Sequence, residues 1–287
     1  MITRSMLFAP GNKERMLQKS LGAGADSVIW DLEDAVALAE KDSARAAVGA
    51  ALRSLPQQHV PIVVRINAVS ANMLEADLAN IVKPGLHGVL LPKAESASDV
   101  HELERSLARL EKANGLAQGA IKIRCILETC LGVLNAYAVA IASSRIEALC
   151  FGAEDFTLDL GVSRTREGIE LAHAREEVAL AAGAAKIMAI DTVYAFLDDE
   201  DGLIQECRAA RRVGFRGKFA IHPRQLEIIN REFSPSESEL AFAEKVVQAF
   251  TEAQQRNQGV ITVDGRMIDA PVAERARLLL RSYKKKM

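Results

Sequence analysis

The feature that most constrains the fold is a regular alternation of short apolar segments with helix-like segments over the first 221 residues. Eight segments have the length and composition of strands, and several are almost continuously apolar, as is typical of strands buried on both faces. Eight strand–helix repeats favour a closed parallel (β/α)8 TIM barrel, with an open doubly wound sheet as the alternative. The predicted strands cover residues 5–9, 27–32, 62–66, 88–91, 121–127, 146–151, 185–190 and 219–221.

The segments between the strands carry helix signals. Apolar residues between Val100 and Leu110 recur at the spacing of one helix face. Residues 170–182 are rich in Ala and Leu, and we expect this helix to stop at Gly183. No G-x-G-x-x-G motif follows the first predicted strand, which weakens the dinucleotide-binding version of the open sheet.

The alternation stops after Ile221, and the remaining residues carry the signals of a separate helical segment. Residues 236–239, Ser-Glu-Ser-Glu, are typical of a capping box at the start of a helix, and Asp264-Gly265 is typical of a turn. Because a barrel does not need this tail, we predict a TIM-barrel catalytic domain over 1–233 and a C-terminal helical extension over 234–287. The extension should cover a barrel mouth or a neighbouring subunit.

Charge and cysteine content limit the possible partners and compartment. A net charge of −2 creates no strong field for nucleic acid or an anionic membrane. No apolar run reaches the roughly 20 residues of a membrane span, and the first residues lack a signal-peptide core. The cysteines form no C-x-x-C pair, so we expect reduced core residues in a cytoplasmic protein: Cys125, Cys130, Cys150 and Cys207.

Two predicted strands end in acids that would be costly to bury without a partner. Glu128 follows the fifth strand, and Asp155 follows the sixth. The C-terminal ends of barrel strands meet at one face, and Mg²⁺ commonly takes one or two carboxylates together with water and substrate oxygens. We therefore predict that Glu128 and Asp155 hold one divalent metal ion. The alternative is that each acid caps the helix that follows it.

Charged residues at three other strand ends complete the candidate site. Glu33 and Asp34 follow the second strand, Arg65 lies at the end of the third, and Lys93 follows the fourth. Glu33 and Asp34 are candidate catalytic residues that bind the metal directly or through water, or simply bond loop amides. A guanidinium can clamp a carboxylate with two hydrogen bonds, so Arg65 is a candidate substrate contact, with structural ion pairing as the alternative. Lys93 either contacts substrate or neutralises surplus acid.

Three further basic or titratable residues have weaker signals. Arg15 and Lys19 follow the first strand, and they either lie solvated on a surface helix or contact phosphates at the barrel mouth. His222 follows the last strand, and a hydrogen-bonded structural histidine is favoured there over a catalytic one.

Nine stretches, spread over nearly the whole chain, together resemble the citrate lyase beta-subunit family, which includes lyases acting on coenzyme A thioesters. The matching stretches, in chain order, are RSMLFAPGN, WDLEDAVALAEKDSAR, VRIN, LPKAES, ILET, FGAEDF, IDTVY, GFRGKFAIHPRQ and DGRMIDAP.

The resemblance implies a barrel that is commonly trimeric, with Mg²⁺ on Glu128 and Asp155. It implies that Arg65 contacts a 2-oxo acid, that Phe8 of the first motif lies at the substrate, and that Asp269 reaches a neighbouring subunit's site. As an alternative or additional role, Asp269 could cap the last helix.

The activity implied by the resemblance is cleavage of a citryl, citramalyl or malyl thioester to an acetyl thioester and a 2-oxo acid. The alternatives are a citrate lyase subunit that takes its thioester from an acyl carrier protein, and a metal aldolase acting on free hydroxy-oxo acids. Residues 156–167, FTLDLGVSRTRE, lie where family members differ, and we expect them to shape the pocket for the oxo acid.

Overall fold

The structure, a computed structural model, describes residues 3–55 and 60–284, with side chains up to residue 281. Eight parallel strands form a closed barrel in chain order, and β1 pairs with β8 through Ser5–Lys218, Met6–Phe219 and Leu7–Ala220. This closure confirms the predicted barrel and rules out the open sheet, which would leave two unpaired edges. The strands are β1 (Ser5–Pro10), β2 (Ser27–Asp31), β3 (Ile62–Arg65), β4 (Leu86–Leu91), β5 (Lys122–Leu127), β6 (Ile146–Phe151), β7 (Met188–Asp191) and β8 (Gly217–Ala220).

Helices follow the strands and form the outer layer of the barrel. They are α1 (Glu14–Leu21), α2 (Lys41–Arg53), α3 (Leu74–Ile81), α4 (Ala97–Ala113), α5 (Cys130–Leu134), α6 (Ala136–Ala140), α7 (Ala153–Leu160), α8 (Ala172–Ala185), α9 (Glu200–Val213) and α10 (Gln225–Glu232). None of the described helices combines the length and the apolar character needed to cross a membrane.

The apolar core has two layers, which explains why the strands are apolar on both faces. The larger layer lies between the strands and the helices, where Val64 and Leu91 belong to the same cluster as Val48 and Leu78. The smaller layer fills the barrel interior with alternate strand residues, as expected for side chains that point to opposite faces of a strand: Met6, Ile29, Val63, Leu90, Ile126, Ala148, Cys150, Ile190 and Phe219.

Two predicted boundaries near the last strands were wrong for local backbone reasons. Helix α8 continues through Gly183 and ends at Lys186, whose φ of 61° gives the left-handed C-cap that we had expected from the glycine. The seventh strand therefore begins at Met188 rather than at residue 185. Strand β8 begins two residues earlier than predicted, at Gly217, where a side chain would collide with the carbonyl oxygen of Thr3.

The residues from Ser234 onward form a second compact unit. Helix α11 (Glu237–Gln255) begins with the predicted capping box at Ser236 and Glu239, and helix α12 (Ala270–Lys284) ends the described chain. Between them, β9 (Ile261–Val263) and β10 (Arg266–Ile268) pair antiparallel around the predicted turn. The assignment of residues 1–233 as catalytic domain and 234–287 as extension or lid stays a prediction.

A buried ion cluster fastens β7 and β8 to the helices outside them. Lys218 is fully buried, and its Nζ lies 2.7 Å from Asp191 Oδ2 and 2.5 Å from Glu206 Oε1. Arg175 of α8 also pairs with Asp191, at 2.9 Å. Burial opposes the charge of Lys218, but the two carboxylates outweigh it and raise its pKa. Removing one member leaves the others buried without full compensation.

We predict that Lys218→Met lowers the free energy of unfolding by about 3–5 kcal/mol, because Asp191 and Glu206 lose their buried cation. Urea denaturation of the two proteins measures this difference. Arg208→Met is the control: Arg208 is mostly exposed where it pairs with Glu232, and its loss should cost less than about 1 kcal/mol. Equal effects of the two substitutions would contradict a structural role for the cluster.

Candidate active site

The C-terminal ends of the strands surround a cavity of about 400 Å³. Its apolar wall includes Phe8, Ile126, Val193 and Phe219. Its polar wall includes Asp34, Arg65, Glu128, Glu154 and Asp155. The fold therefore gathers five of the predicted site residues around one space, namely Phe8, Asp34, Arg65, Glu128 and Asp155.

Glu128 is a buried acid with few partners. It lies directly after β5, and Oε1 accepts a hydrogen bond of 2.9 Å from the backbone N–H of Lys93. Burial and the nearby charge of Glu33 raise the pKa of Glu128 to about 7. The cap of α5 is Thr129, which accepts from Gly132, so the interpretation of Glu128 as a helix cap was wrong. A side chain at Gly152 would collide with Glu128 Oε2, so the glycine gives this carboxylate room.

Lys93 links the acids of three strand ends. Its Nζ lies 2.9 Å from Glu33 Oε1 and 2.9 Å from Asp155 Oδ2, in the first turn of α7. The backbone of Lys93 is left-handed, with φ 48°. Burial disfavours its charge, but the hydrogen bonds to Asp155 and Glu33 outweigh that effect and raise its pKa. The lysine thus supplies positive charge where acids are in excess.

Arg65 is held by Asp31, a residue that the sequence analysis did not single out. Nε lies 2.7 Å from Asp31 Oδ1 and Nη2 lies 2.6 Å from Asp31 Oδ2, a bidentate pair. Burial alone would raise the pKa of Asp31, but the hydrogen bonds and charge of Arg65 hold it below its usual value. Asp31 also accepts from the backbone N–H groups of Glu33 and Ala35, so it fixes the turn that follows β2. The signal was present in the sequence, as an acid at the end of an otherwise apolar strand.

The remaining edge of the Arg65 guanidinium faces weaker partners. Nη1 lies 2.8 Å from Glu33 Oε2, without hydrogen-bond geometry, and 3.4 Å from Asp34 Oδ2. Asp34 keeps 63% of its side chain exposed, and the guanidinium stacks 5.1 Å from the centre of the Phe8 ring. This edge is therefore the part of Arg65 that can take a new carboxylate partner.

The segment of residues 156–167 comprises the second half of α7 and the residues after it, and two arginines anchor it. Arg164 lies with Nε 3.2 Å from Glu154 Oε1 and Nη2 3.2 Å from Glu206 Oε2. Arg166 stacks on Phe196, with its guanidinium carbon 4.6 Å from the ring centre. Because Glu154 lines the cavity, these contacts tie the segment to the cavity wall.

Some predicted site residues lie outside the cavity lining. Arg15 and Lys19 are exposed on α1, and neither lines the cavity. His222 accepts a hydrogen bond from the backbone of Arg224 at 3.2 Å. Asp269 belongs to the second unit, where its Oδ1 accepts from Val272 N at 3.2 Å, as a cap of α12 does. The functional roles of these residues stay predictions.

The donor set of the cavity suits a hard divalent cation. Among the carboxylates that line it are Glu128, to which the described residues give a single hydrogen bond, and Asp155, which pairs with Lys93. No group of three or more His, Cys, Asp or Glu side chains converges on one metal position within the described chain. Mg²⁺ needs only one or two protein carboxylates, since water and substrate oxygens complete its shell.

Comparison with known proteins identifies the family of the chain. Residues 4–223 match the HpcH/HpaI aldolase/citrate lyase family. The citrate lyase subunit beta of Haemophilus influenzae is 40% identical over 99% of this chain and 97% of that protein. The mitochondrial citramalyl-CoA lyase of Rattus norvegicus is 32% identical over 96% of this chain and 84% of that protein.

A solved structure adds a match in three dimensions. Protein CitE of Mycobacterium tuberculosis, in complex with magnesium, acetoacetate and coenzyme A, superposes with a TM-score of 0.77 at 34% identity, over 98% of this chain and 97% of that one. The resemblance predicted from the motifs is confirmed. The chain therefore belongs to the HpcH/HpaI aldolase/citrate lyase family.

Proposed function

We propose that the protein is a Mg²⁺-dependent carbon–carbon lyase that cleaves a 3-hydroxy-acyl thioester of the citryl, citramalyl or malyl type to an acetyl thioester and a 2-oxo acid. The observation that carries the proposal is the cavity that buried Glu128, Asp155 and Arg65 line together, with the Nη1 edge of Arg65 held only by its weaker partners. The relatives named citrate lyase subunit beta and citramalyl-CoA lyase support this reaction class.

A second candidate is a subunit role, in which the thioester is carried by an acyl carrier protein within a citrate lyase complex. The relatives at 39–41% identity that are named citrate lyase subunit beta favour this alternative. The chemistry at the oxo-acid end is the same in both cases, and only the carrier of the thioester differs.

Each charged residue has a separate task in the proposed reaction. Glu128 and Asp155 would hold the metal ion. When bound, Mg²⁺ supplies Lewis acidity, which lowers the pKa of the substrate hydroxyl and stabilises charge on the carbonyl oxygen as it forms. The free edge of Arg65 binds the carboxylate next to that hydroxyl, and Asp31 keeps this edge turned to the cavity. Lys93 offsets the repulsion among the acids.

Proton movement completes the cleavage. The hydroxyl proton passes to an acid of the cavity, and Asp34 is our assignment because it lines the cavity and is mostly exposed. The electrons of the carbon–carbon bond pass to the thioester as an enolate, which takes a proton at its carbon to give the acetyl thioester. We assign that proton to Asp269.

We extend the proposal to a homotrimer in the cytoplasm, in which Asp269 of one subunit serves the barrel of its neighbour. Asp269 lies at the start of α12, in a compact unit with its own core, which supports an ordered rather than a loose extension. The four cysteines are all free, which suits a reducing compartment.

We predict that Glu128→Ala and Asp155→Ala remain folded but lose Mg²⁺ binding, because each removes one of two carboxylate ligands. Isothermal titration calorimetry measures the binding, and circular dichroism checks the fold. Glu154→Ala is the matched control, since Glu154 lines the same cavity beside Asp155 but has no assigned metal contact. Wild-type Mg²⁺ affinity in both Glu128→Ala and Asp155→Ala would place the metal elsewhere.

We predict that Arg65→Lys lowers kcat/KM for the oxo acid in the condensation direction by roughly 10- to 100-fold, the value of one charge-assisted contact. An ammonium group cannot keep the two bonds to Asp31 and still offer a second edge to substrate. Arg224→Lys, at an exposed position before α10, is the control and should leave kcat/KM unchanged. An unchanged constant for Arg65→Lys would remove Arg65 from the substrate site.

We predict that inactive Asp269→Asn subunits and inactive Glu128→Gln subunits regain activity when mixed under conditions of subunit exchange. Some mixed sites then combine an intact Asp269 with an intact Glu128 from different chains. Labelled subunits verify the exchange, and oxo acid release measures the activity. Verified exchange without recovery would exclude a shared site, and a fully active Asp269→Asn enzyme would exclude an acid–base role.

A further inference from the structure

A second cavity, of about 390 Å³, lies at the opposite end of the barrel, among the N-terminal ends of the strands. Residues beside or within the starts of β4, β5, β6 and β7 line it, and four of them carry ionisable side chains: His87, Arg124, Glu147 and Lys186. None of these residues belongs to the candidate active site. The N-terminal face of a barrel is usually structural, so a ligand there needs its own evidence.

Arg124 is a buried cation with unused hydrogen-bond donors. Its side chain is 2% exposed, and Nε lies 2.6 Å from Glu147 Oε1. Nη1 faces the sulfur of Met6 at 3.0 Å, which is a weak acceptor, and no residue of the described chain accepts from Nη2. A guanidinium has five N–H groups, so most of them lack an oxygen partner. Nη2 is not among the buried side-chain atoms of the described chain that lack a partner, so this donor reaches the open space of the cavity that Arg124 lines. A guanidinium edge in that position can donate to the oxygens of an anion.

Of the ionisable groups in the described lining, one is a carboxylate acceptor, and it already has partners. Glu147 is the one carboxylate among the cavity-lining residues of the described chain, and both of its oxygens have partners. Oε1 accepts from Arg124 and lies 3.0 Å from His87 Nε2, and Oε2 lies 3.2 Å from the same nitrogen. Lys186 is an exposed residue that lines the same space, and its Nζ makes no hydrogen bond or ion pair within the described chain. With Arg124 and Lys186 set against Glu147, the lining carries a net positive charge.

We propose that this cavity, which we call the N-terminal pocket, binds a small oxyanion whose phosphate or carboxylate oxygens accept from Arg124 and Lys186. The lining is rich in donors and positively charged, and its carboxylate already accepts hydrogen bonds from Arg124 and His87. Such a lining is complementary to an oxyanion. Water could satisfy the donors but not the net charge. The site is separate from the proposed metal site, so the inference stands independently of the proposed lyase activity.

The test is a calorimetric titration of the full-length, metal-free protein with inorganic phosphate and, separately, with acetate, at an ionic strength held constant with chloride. We expect saturable binding of at least one of the two ions, and the pair of titrations distinguishes phosphate from carboxylate recognition. Lys186→Gln should weaken that binding at least about fivefold, because it removes one charge-assisted contact and keeps the length of the side chain.

Lys122→Gln is the matched control, since Lys122 is at the start of β5 at the same end of the barrel but does not line the pocket. Its affinity for the ion should equal that of the wild type. Arg124→Met alone would leave Glu147 without its cation, so the double variant Arg124→Met/Glu147→Met removes both charges of the pair. This variant should melt cooperatively and show no saturable binding.

Three results would overturn the inference. The first is the absence of saturable binding of either ion to the wild-type protein. The second is an equal loss of affinity in Lys186→Gln and Lys122→Gln, which would indicate a general effect of surface charge. The third is a folded double variant that still binds the ion, which would place the site elsewhere.

Discussion

The bidentate pair between Asp31 and Arg65 is the interaction on which the candidate active site depends. Strands β2 and β3 are neighbours, and Asp31 lies directly opposite Arg65 in their register. Asp31 uses the Nε and Nη2 edge of the guanidinium, so that only the Nη1 edge is left for other partners. A buried pair of this kind contributes little net stability by itself, but it fixes an orientation that a free arginine would lose.

The cavity then has to tolerate more acids than cations. Glu33, Asp34, Glu128, Glu154 and Asp155 lie near it or line it, and the cations that contact these acids are Arg65, Lys93 and Arg164. Burial and the nearby charge of Glu33 together raise the pKa of Glu128 to about 7. A divalent cation is the group that would relieve the excess of acids, and the small lining residues Gly152 and Ala153 leave space beside the acids.

The barrel could be predicted from the sequence because its evidence is periodic: eight apolar segments, each followed by a helix, leave few topologies. The acids Glu128 and Asp155 and the base Arg65 could be predicted for the same reason, as strand-terminal residues. The role of Asp31 could not, because an acid at the end of an apolar strand is visible in the sequence, but its pairing with Arg65 follows only from the register with the neighbouring strand. The end of α8 was also predicted at the wrong residue. Lys186 adopts the left-handed conformation that ends the helix, whereas glycine is the residue most often found at that position.

Strand β5 runs from one end of the barrel to the other and places a polar residue at each. Arg124 lines the N-terminal pocket, Ile126 lies in the interior core, and Glu128 lines the candidate active-site cavity. Because these residues alternate along one strand, they share its barrel-facing side and span about 13 Å at 3.3 Å per residue. A slip of β5 by one residue would turn all of them outward together. The polar side chains at the two ends of β5 therefore depend on one register, which a change in the length of the loops before or after the strand need not alter.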